Sequence, residues 1–228
     1  MLNRVLCAVV LIGCGIKQTQ NVGGAGPDVY NEAAISGVSD PALKALLHEQ
    51  WESLMQAYPV WASQLGDHRF DDQLSRISPL DIEARHDAMK RLYQRALSIQ
   101  SDTLNNDDAL THQLFIHALE NDLATSTCSF WQWSISPRSN AYVQFAGLGE
   151  KHVVHTPDDA QTLLSRYRAI PGHIQQQIDN LTLGMNAGNT ANRASILLVV
   201  EMLEEALKAP VEESPFLAPI RVDHPTWE

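Results

Sequence analysis

The sequence predicts an all-α fold, an irregular multi-helix bundle of about five or six helices with one long aromatic-rich loop. Three observations carry this prediction. Apolar residues recur at three- and four-residue spacing through most of the chain beyond Ser39. Helix-start signals, in which a cap residue is followed by a proline, precede three of these stretches, at Pro41, Pro79 and Pro157. No segment alternates apolar and polar residues as a half-buried strand does, and no repeat of fixed period occurs.

The first helix reads "SDPALKALLHEQWESLMQAYPVWASQLG". Ser39 or Asp40 caps it, and Pro41 suits its first turn. Leu43, Leu46, Leu47, Trp51, Leu54, Met55, Tyr58, Trp61 and Leu65 make one long apolar stripe, so this helix should be central to the core. Pro59 should kink it, and Gly66 stands where a left-handed C-terminal residue belongs. The second helix starts at Ser78-Pro79 and carries acids early and Lys/Arg late, matching its dipole. Its apolar face is Leu80, Ala84, Ala88, Leu92 and Ala96. The third, from about Asp107 to Thr127, is apolar over a broad arc, which predicts burial on more than one side.

Residues 128–155 break the periodicity. They hold Trp131, Trp133, Tyr142 and Phe145 among Pro137, Gly147 and Gly149, and read as a long irregular segment with room for a short strand. Thr156-Pro157-Asp158-Asp159 starts the next helix. Pro171-Gly172 interrupts it, and Ile174, Ile178, Leu181 and Met185 carry it on. "GMNAGN" is a turn, and "ANRASILLVVEMLEEALK" is the last helix, with Glu204 one turn before Lys208. The broad apolar arcs of the third and last helices predict a large exposed apolar patch.

The 228 residues are 44% hydrophobic, enough for one domain with a real core or two small ones. Charged residues are 19%, below the usual quarter, which argues against disorder beyond the N-terminal region. The formal charge of -11 and the absence of any Lys/Arg run argue against phosphate-backbone binding, so no nucleic-acid partner is expected. Attraction to an anionic membrane surface is excluded on the same ground.

A membrane connection comes instead from "MLNRVLCAVVLIGC". Arg4 precedes an apolar run, Val5 to Ile12, too short to span a bilayer and built like a secretory signal. Its end, Leu11-Ile12-Gly13-Cys14, resembles a bacterial lipobox, in which the cysteine becomes the lipid-bearing N-terminus. The alternatives are an ordinary signal peptide cut elsewhere or a buried N-terminal helix. The lipobox implies a signal peptide over residues 1–13, lipidation at Cys14, and stable anchoring by several acyl chains. Gly15 in place of Asp favours the outer membrane, facing the periplasm. Cleavage removes one of 16 basic residues and none of the 27 acids, leaving a charge of -12. Of three cysteines only Cys128 then keeps its thiol, so no intramolecular disulfide can form, and Cys128 is read as a small buried apolar residue. Residues 14–38, rich in Gly and Asn, read as a flexible tether to a helical domain spanning residues 39–228.

"AYPVWASQLGDHRFDDQLSRISP" resembles the N-terminal signature of a bacterial family known as domain of unknown function 885. "DDALTHQLFIHALENDL", "TPDDAQTLLSRYRAIPGHIQQQIDNLTLGMNAGN" and "SPFLAPI" follow in the family's order, so the resemblance runs from about Leu43 to Ile220. Family members are commonly exported, largely helical lipoproteins, longer than this chain. Their C-terminal half carries an HExxH motif like that of zinc metallopeptidases, where two His one turn apart bind zinc and the Glu activates water. No HExxH occurs here. The resemblance therefore implies the family's N-terminal region alone, an incomplete part of a larger helical fold. It implies no catalytic residue, no metal ligand and no cofactor in this chain. Zinc and a peptide substrate belong to complete members, and a missing C-terminal half is the implied partner. The other reading is a self-sufficient, lipid-anchored binding or scaffold module.

The remaining candidates read as structural. His48 and Glu52 in "HEQWE" lie on a core helix. His152 and His155 near Glu150 could bind a metal, but nothing fixes their geometry, and exposed loop histidines are the better reading. His112 and His117 share no helix face, and Glu201, Glu204 and Glu205 form a solvated face. No nucleophile elbow, Walker or dinucleotide glycine motif is present. The densest polar stretch is "LGDHRFDDQLSRISP". Asp67, His68, Arg69, Asp71 and Asp72 look like a site, yet a well-made connection explains them better. In it, Asp67, Asp71 and Asp72 would accept bonds from loop amides and from Arg69 or Arg76, while Phe70, Leu74 and Ile77 would pin the loop. Its functional reading is a loop that shapes the substrate side of a cleft.

Overall fold

The computed structural model describes Glu32, residues 35–152 and residues 154–221. The expected signal segment, Cys14 and most of the expected tether lie outside the described residues. From Pro41 on, the described residues form α1 (Pro41–Ala57), α2 (Pro59–Gln64), α3 (Pro79–Leu97), α4 (Asn106–Ser126), α5 (Ala141–Ala146), α6 (Leu148–Lys151), α7 (Pro157–Asn186) and α8 (Arg193–Lys208), with short 3-10 turns between. Among them there is no sheet, only a single antiparallel bridge between Ser136 and Ser139. The fold is all-α. No helix among the described residues is long and apolar enough to cross a membrane. The chain groups into two compact units.

The first unit is built on α1, α3 and α4. Leu43 and Leu46 of α1, Leu92 and Ala96 of α3, and Phe115 and Leu119 of α4 form its buried core. Met89 and Tyr93 pack against that core, whereas Leu80 and Ala84 are exposed. The apolar face expected on α3 therefore holds only in its C-terminal half. α4 is buried along one stripe, Asp108, His112, Phe115 and Leu119, and Leu110 is exposed, so its apolar arc is broader than its burial. The polar members of that stripe serve backbone. Asp108 accepts the amides of Ser39 (3.1 Å) and Asp40 (2.8 Å), and Asp40 in turn accepts the Leu43 amide at 2.8 Å. His112 Nε2 donates to Ala96 O at 2.8 Å, satisfying a carbonyl in the last turn of α3.

The second unit contains α2, residues 68–79 and everything from Ser129 onward. Pro59 lacks an amide, and the expected kink is a full break, with Tyr58 between α1 and α2. Gly66 has φ 88°, the left-handed residue expected after α2. Phe145, Leu148 and Leu163 form the core of this unit, with Val60, Leu74, Tyr167, Ile170 and Phe216 against it. The aromatic segment is more helical than its sequence suggests, because α5 and α6 turn Phe145 and Leu148 into the core. α7 begins with a complete capping box, Thr156 with Asp159. It then runs unbroken for 30 residues with Pro171 inside it. The interruption expected at Pro171-Gly172 is absent, since packing along a 3-4 stripe of Leu163, Arg166, Ile170, His173, Asn180 and Gly184 carries the helix past the proline.

α8 turns only Val199 fully inward. Leu197, Leu198, Val200, Leu203 and Leu207 are exposed, the last at 86%, which is the apolar surface the sequence predicts. Lys208 pairs with Glu205 rather than with Glu204. Cys128 is exposed, not buried as expected, because it lies just beyond the end of α4.

Gly184 marks the tightest approach in this unit. A Cβ there would stand 2.2 Å from Gln132 O and 2.9 Å from Asn189 O. Glycine in a helix ordinarily costs about 1 kcal/mol against alanine. Here Gly184→Ala should instead destabilise the protein by about 1–3 kcal/mol, because rigid backbone has to move. Urea unfolding followed by circular dichroism measures this, and an unchanged or raised stability would contradict the packing.

Candidate functional site

The polar stretch predicted as a connection is held by a residue the sequence analysis did not single out. Arg166 lies on the inward stripe of α7 and has no exposed surface. Its Nε donates to Gln73 O at 2.8 Å. Nη2 reaches Phe70 O at 2.8 Å, Ser63 Oγ at 2.9 Å and Pro59 O at 3.2 Å. Nη1 donates to His152 Nδ1 at 3.0 Å. One planar fork thus ties α2, the segment around Phe70 to Gln73, and the end of α6 to α7.

The counter-charge is Asp71, buried, with Oδ1 3.7 Å from Arg166 Nη2. The same oxygen accepts from Ser63 Oγ. Its other oxygen meets His68 Nδ1 at 2.8 Å. Burial pulls the guanidinium's pKa down, while Asp71 and Asp72 push it back up, and it remains a cation.

From Gln73 to Ile77 the chain has no regular secondary structure, and side chains of α7 serve its backbone in order. After Arg166 on Gln73 comes His173 Nδ1, donating to Ser75 O at 3.0 Å. Asn180 Nδ2 donates to Ile77 O at 2.7 Å, and Gln176 Oε1 accepts the Ile77 amide at 3.0 Å. Carbonyls of alternate residues face one helix, as on one edge of an extended strand. The partners advance along α7 as the segment advances, so the two run parallel. Side chains of a helix here replace a neighbouring strand.

His152 closes the cluster from α6. It is 1% exposed, so the reading of an exposed loop histidine is corrected. Its Nδ1 accepts from Arg166, and its Nε2 donates to Asp159 O at 3.1 Å. Both nitrogens are occupied by protein groups, and His155 is exposed, so the two histidines do not converge. Burial holds the His152 pKa below the ordinary imidazole value. Arg166 acts in the same direction, against Asp71 and Asp159. Burial also depresses His173, whose ring meets Phe145 edge-on at 5.1 Å.

The five residues read together in the sequence take different roles. His68 and Asp71 pair. Arg69 stacks over the Phe70 ring at 5.2 Å, and Asp72 is exposed. Asp67 is buried and belongs to the first unit. The cation on Asp71 is Arg166, not Arg69 or Arg76. Leu74 packs into the core, as expected. The order Ser63–Asp71–His68 is not that of a nucleophilic triad, where an imidazole must stand between hydroxyl and carboxylate. His48 is exposed on α1 and Glu52 half-buried. The first unit also carries an open groove of about 590 Å³ beside Asp102, Asn106, Leu110 and Gln113, but His112 in its wall is spent on Ala96.

Replacing Arg166 leaves buried carbonyls, Asp71 and His152 without their donor. Arg166→Met should cost about 3–5 kcal/mol. Arg166→Lys should lose much of the same, since one ammonium cannot span acceptors set around a planar fork. Urea unfolding measures both, and a stability within about 0.5 kcal/mol of the parent, the range of surface substitutions, would contradict the clasp.

No curated protein and no solved structure matches the chain. The family described as "Bacterial protein of unknown function (DUF885)" matches residues 59–226, which includes α2, the clasped segment and the whole of α7 and α8. The chain belongs to that family, the one its signature stretch resembles.

Proposed function

We propose that this chain is a lipid-anchored protein of the bacterial cell envelope whose helical region is non-catalytic by itself and works as the positioning and docking part of a metallopeptidase-like assembly. The observation that carries the reading is the Arg166 clasp. The polar groups of the signature stretch that come together, Ser63, His68 and Asp71, are spent on one another and on Arg166. Such a set holds a segment in place: Ser63 and Asp71 are buried within it, and Asp71 orients the one ring that reaches solvent, His68. The exposed apolar face of α8 supports a surface that meets a partner, and it serves a binding or scaffold module equally. Anchoring rests on the lipobox-like "LIGC" ending at Cys14. Gly15 after the cysteine, where Asp would favour inner-membrane retention, supports an outer-membrane location facing the periplasm.

Two measurements test the proposal. Cells expressing the chain with labelled palmitate should give a labelled band in the membrane fraction, lost in Cys14→Ser. An unlabelled, cytoplasmic product would contradict the anchor. The purified chain, given zinc and a fluorogenic peptide library, should show no turnover above the buffer rate. Turnover that a chelator abolishes would contradict a non-catalytic role.

A further inference from the structure

We propose that the Arg166 clasp is an acid-released latch: a proton taken up at His152 Nδ1 expels the guanidinium and frees the segment from His68 to Ile77. The geometry carries this directly. Nδ1 has one lone pair, and Arg166 Nη1 occupies it at 3.0 Å. Nε2 carries the ring's hydrogen, given to Asp159 O at 3.1 Å, a carbonyl that also accepts the Thr162 hydroxyl at 2.9 Å. The imidazole is therefore neutral in the closed form. A proton on Nδ1 points at an N–H of a fully buried cation, removing a bond and setting two positive charges side by side.

The groups facing His152 do not cancel this. α7 presents Arg166, Asp159 and the Thr162 hydroxyl. The clasped segment presents Asp71, already shared between Ser63, His68 and Arg166, with Asp72 acting on Arg166 from outside. α2 meets Arg166 through uncharged groups, the Ser63 hydroxyl and the Pro59 carbonyl. Asp71 and Asp159 favour the imidazolium, yet burial and Arg166 outweigh them. The sign follows. The freed imidazole titrates near its ordinary value of about 6.5 and the closed one below it, so the open form binds the extra proton. The latch is at full strength above that pH and weakens as pH falls beneath it. The proposed envelope location would expose it to external pH, although the latch does not depend on that location.

Hydrogen exchange of the full chain in detergent solution tests this. The Ile77 amide, bonded to Gln176, and the Gln73 amide, bonded to Phe70 O, report on closure. After correction for intrinsic rates, their opening constant should rise between pH 7 and pH 5. His152→Gln, which keeps an acceptor without the titration, should reduce that rise by one proton, about tenfold per pH unit. His173→Gln, removing the second buried imidazole of the segment, should leave the His152 contribution in place. An unchanged rise in His152→Gln, or no rise in the parent chain, overturns the latch. Nitrogen-15 spectra of the parent imidazoles test the same point without a variant. The closed form should keep an unprotonated His152 Nδ1 throughout, and an imidazolium with protection of Ile77 intact overturns the proposal.

Discussion

A fully buried guanidinium sets the terms for the second unit. Removing such a group from water costs several kcal/mol unless its donors and its charge are all met. Arg166 meets that demand by collecting carbonyls and side chains from α2, the Phe70–Gln73 stretch and α6 around one plane. Elements far apart in sequence are thereby fixed to α7 by a single residue. The arrangement explains why Asp71 is buried, why Ser63 faces inward from so short a helix, and why His152 must be neutral. Below the clasp, His173, Gln176 and Asn180 extend the same device to Ile77. The cost of leaving backbone groups buried and unpaired selects this ladder of polar residues on a core-facing stripe.

The helical class, most element boundaries, the cap at Thr156 and the left-handed Gly66 were legible in the sequence, because periodicity and capping are local. The continuity of α7 through Pro171 was not, because tertiary packing overrides a local breaker. Nor was the helical content of residues 141–151, where short helices exist to aim Phe145 and Leu148. In the polar stretch, the structural role was legible, while its partner was not. Asp71 has arginines nearby in sequence at positions 69 and 76, yet its cation lies on α7, 95 residues further on. One signal was available. Arg166, His173 and Asn180 fall at the same helical register as Leu163 and Ile170, and polar residues on a core stripe require partners.

The buried clasp and the exposed face of α8 both lie in the second unit, and each bears on function differently. The clasp consumes the chemistry of the signature residues in holding a backbone segment. α8 instead leaves Leu197, Leu198, Val200, Leu203 and Leu207 in solvent. Membership of the family is carried by residues 59–226, which include both features.

The most direct measurement of the central claim is the nuclear magnetic resonance signal of the Arg166 guanidinium. A buried, multiply bonded group should show a slowly exchanging Nε–H, hindered rotation of its Nη groups, and a scalar coupling across the bond from Nε–H to the Gln73 carbonyl. A guanidinium that exchanges rapidly and shows one averaged Nη signal at neutral pH would contradict the clasp.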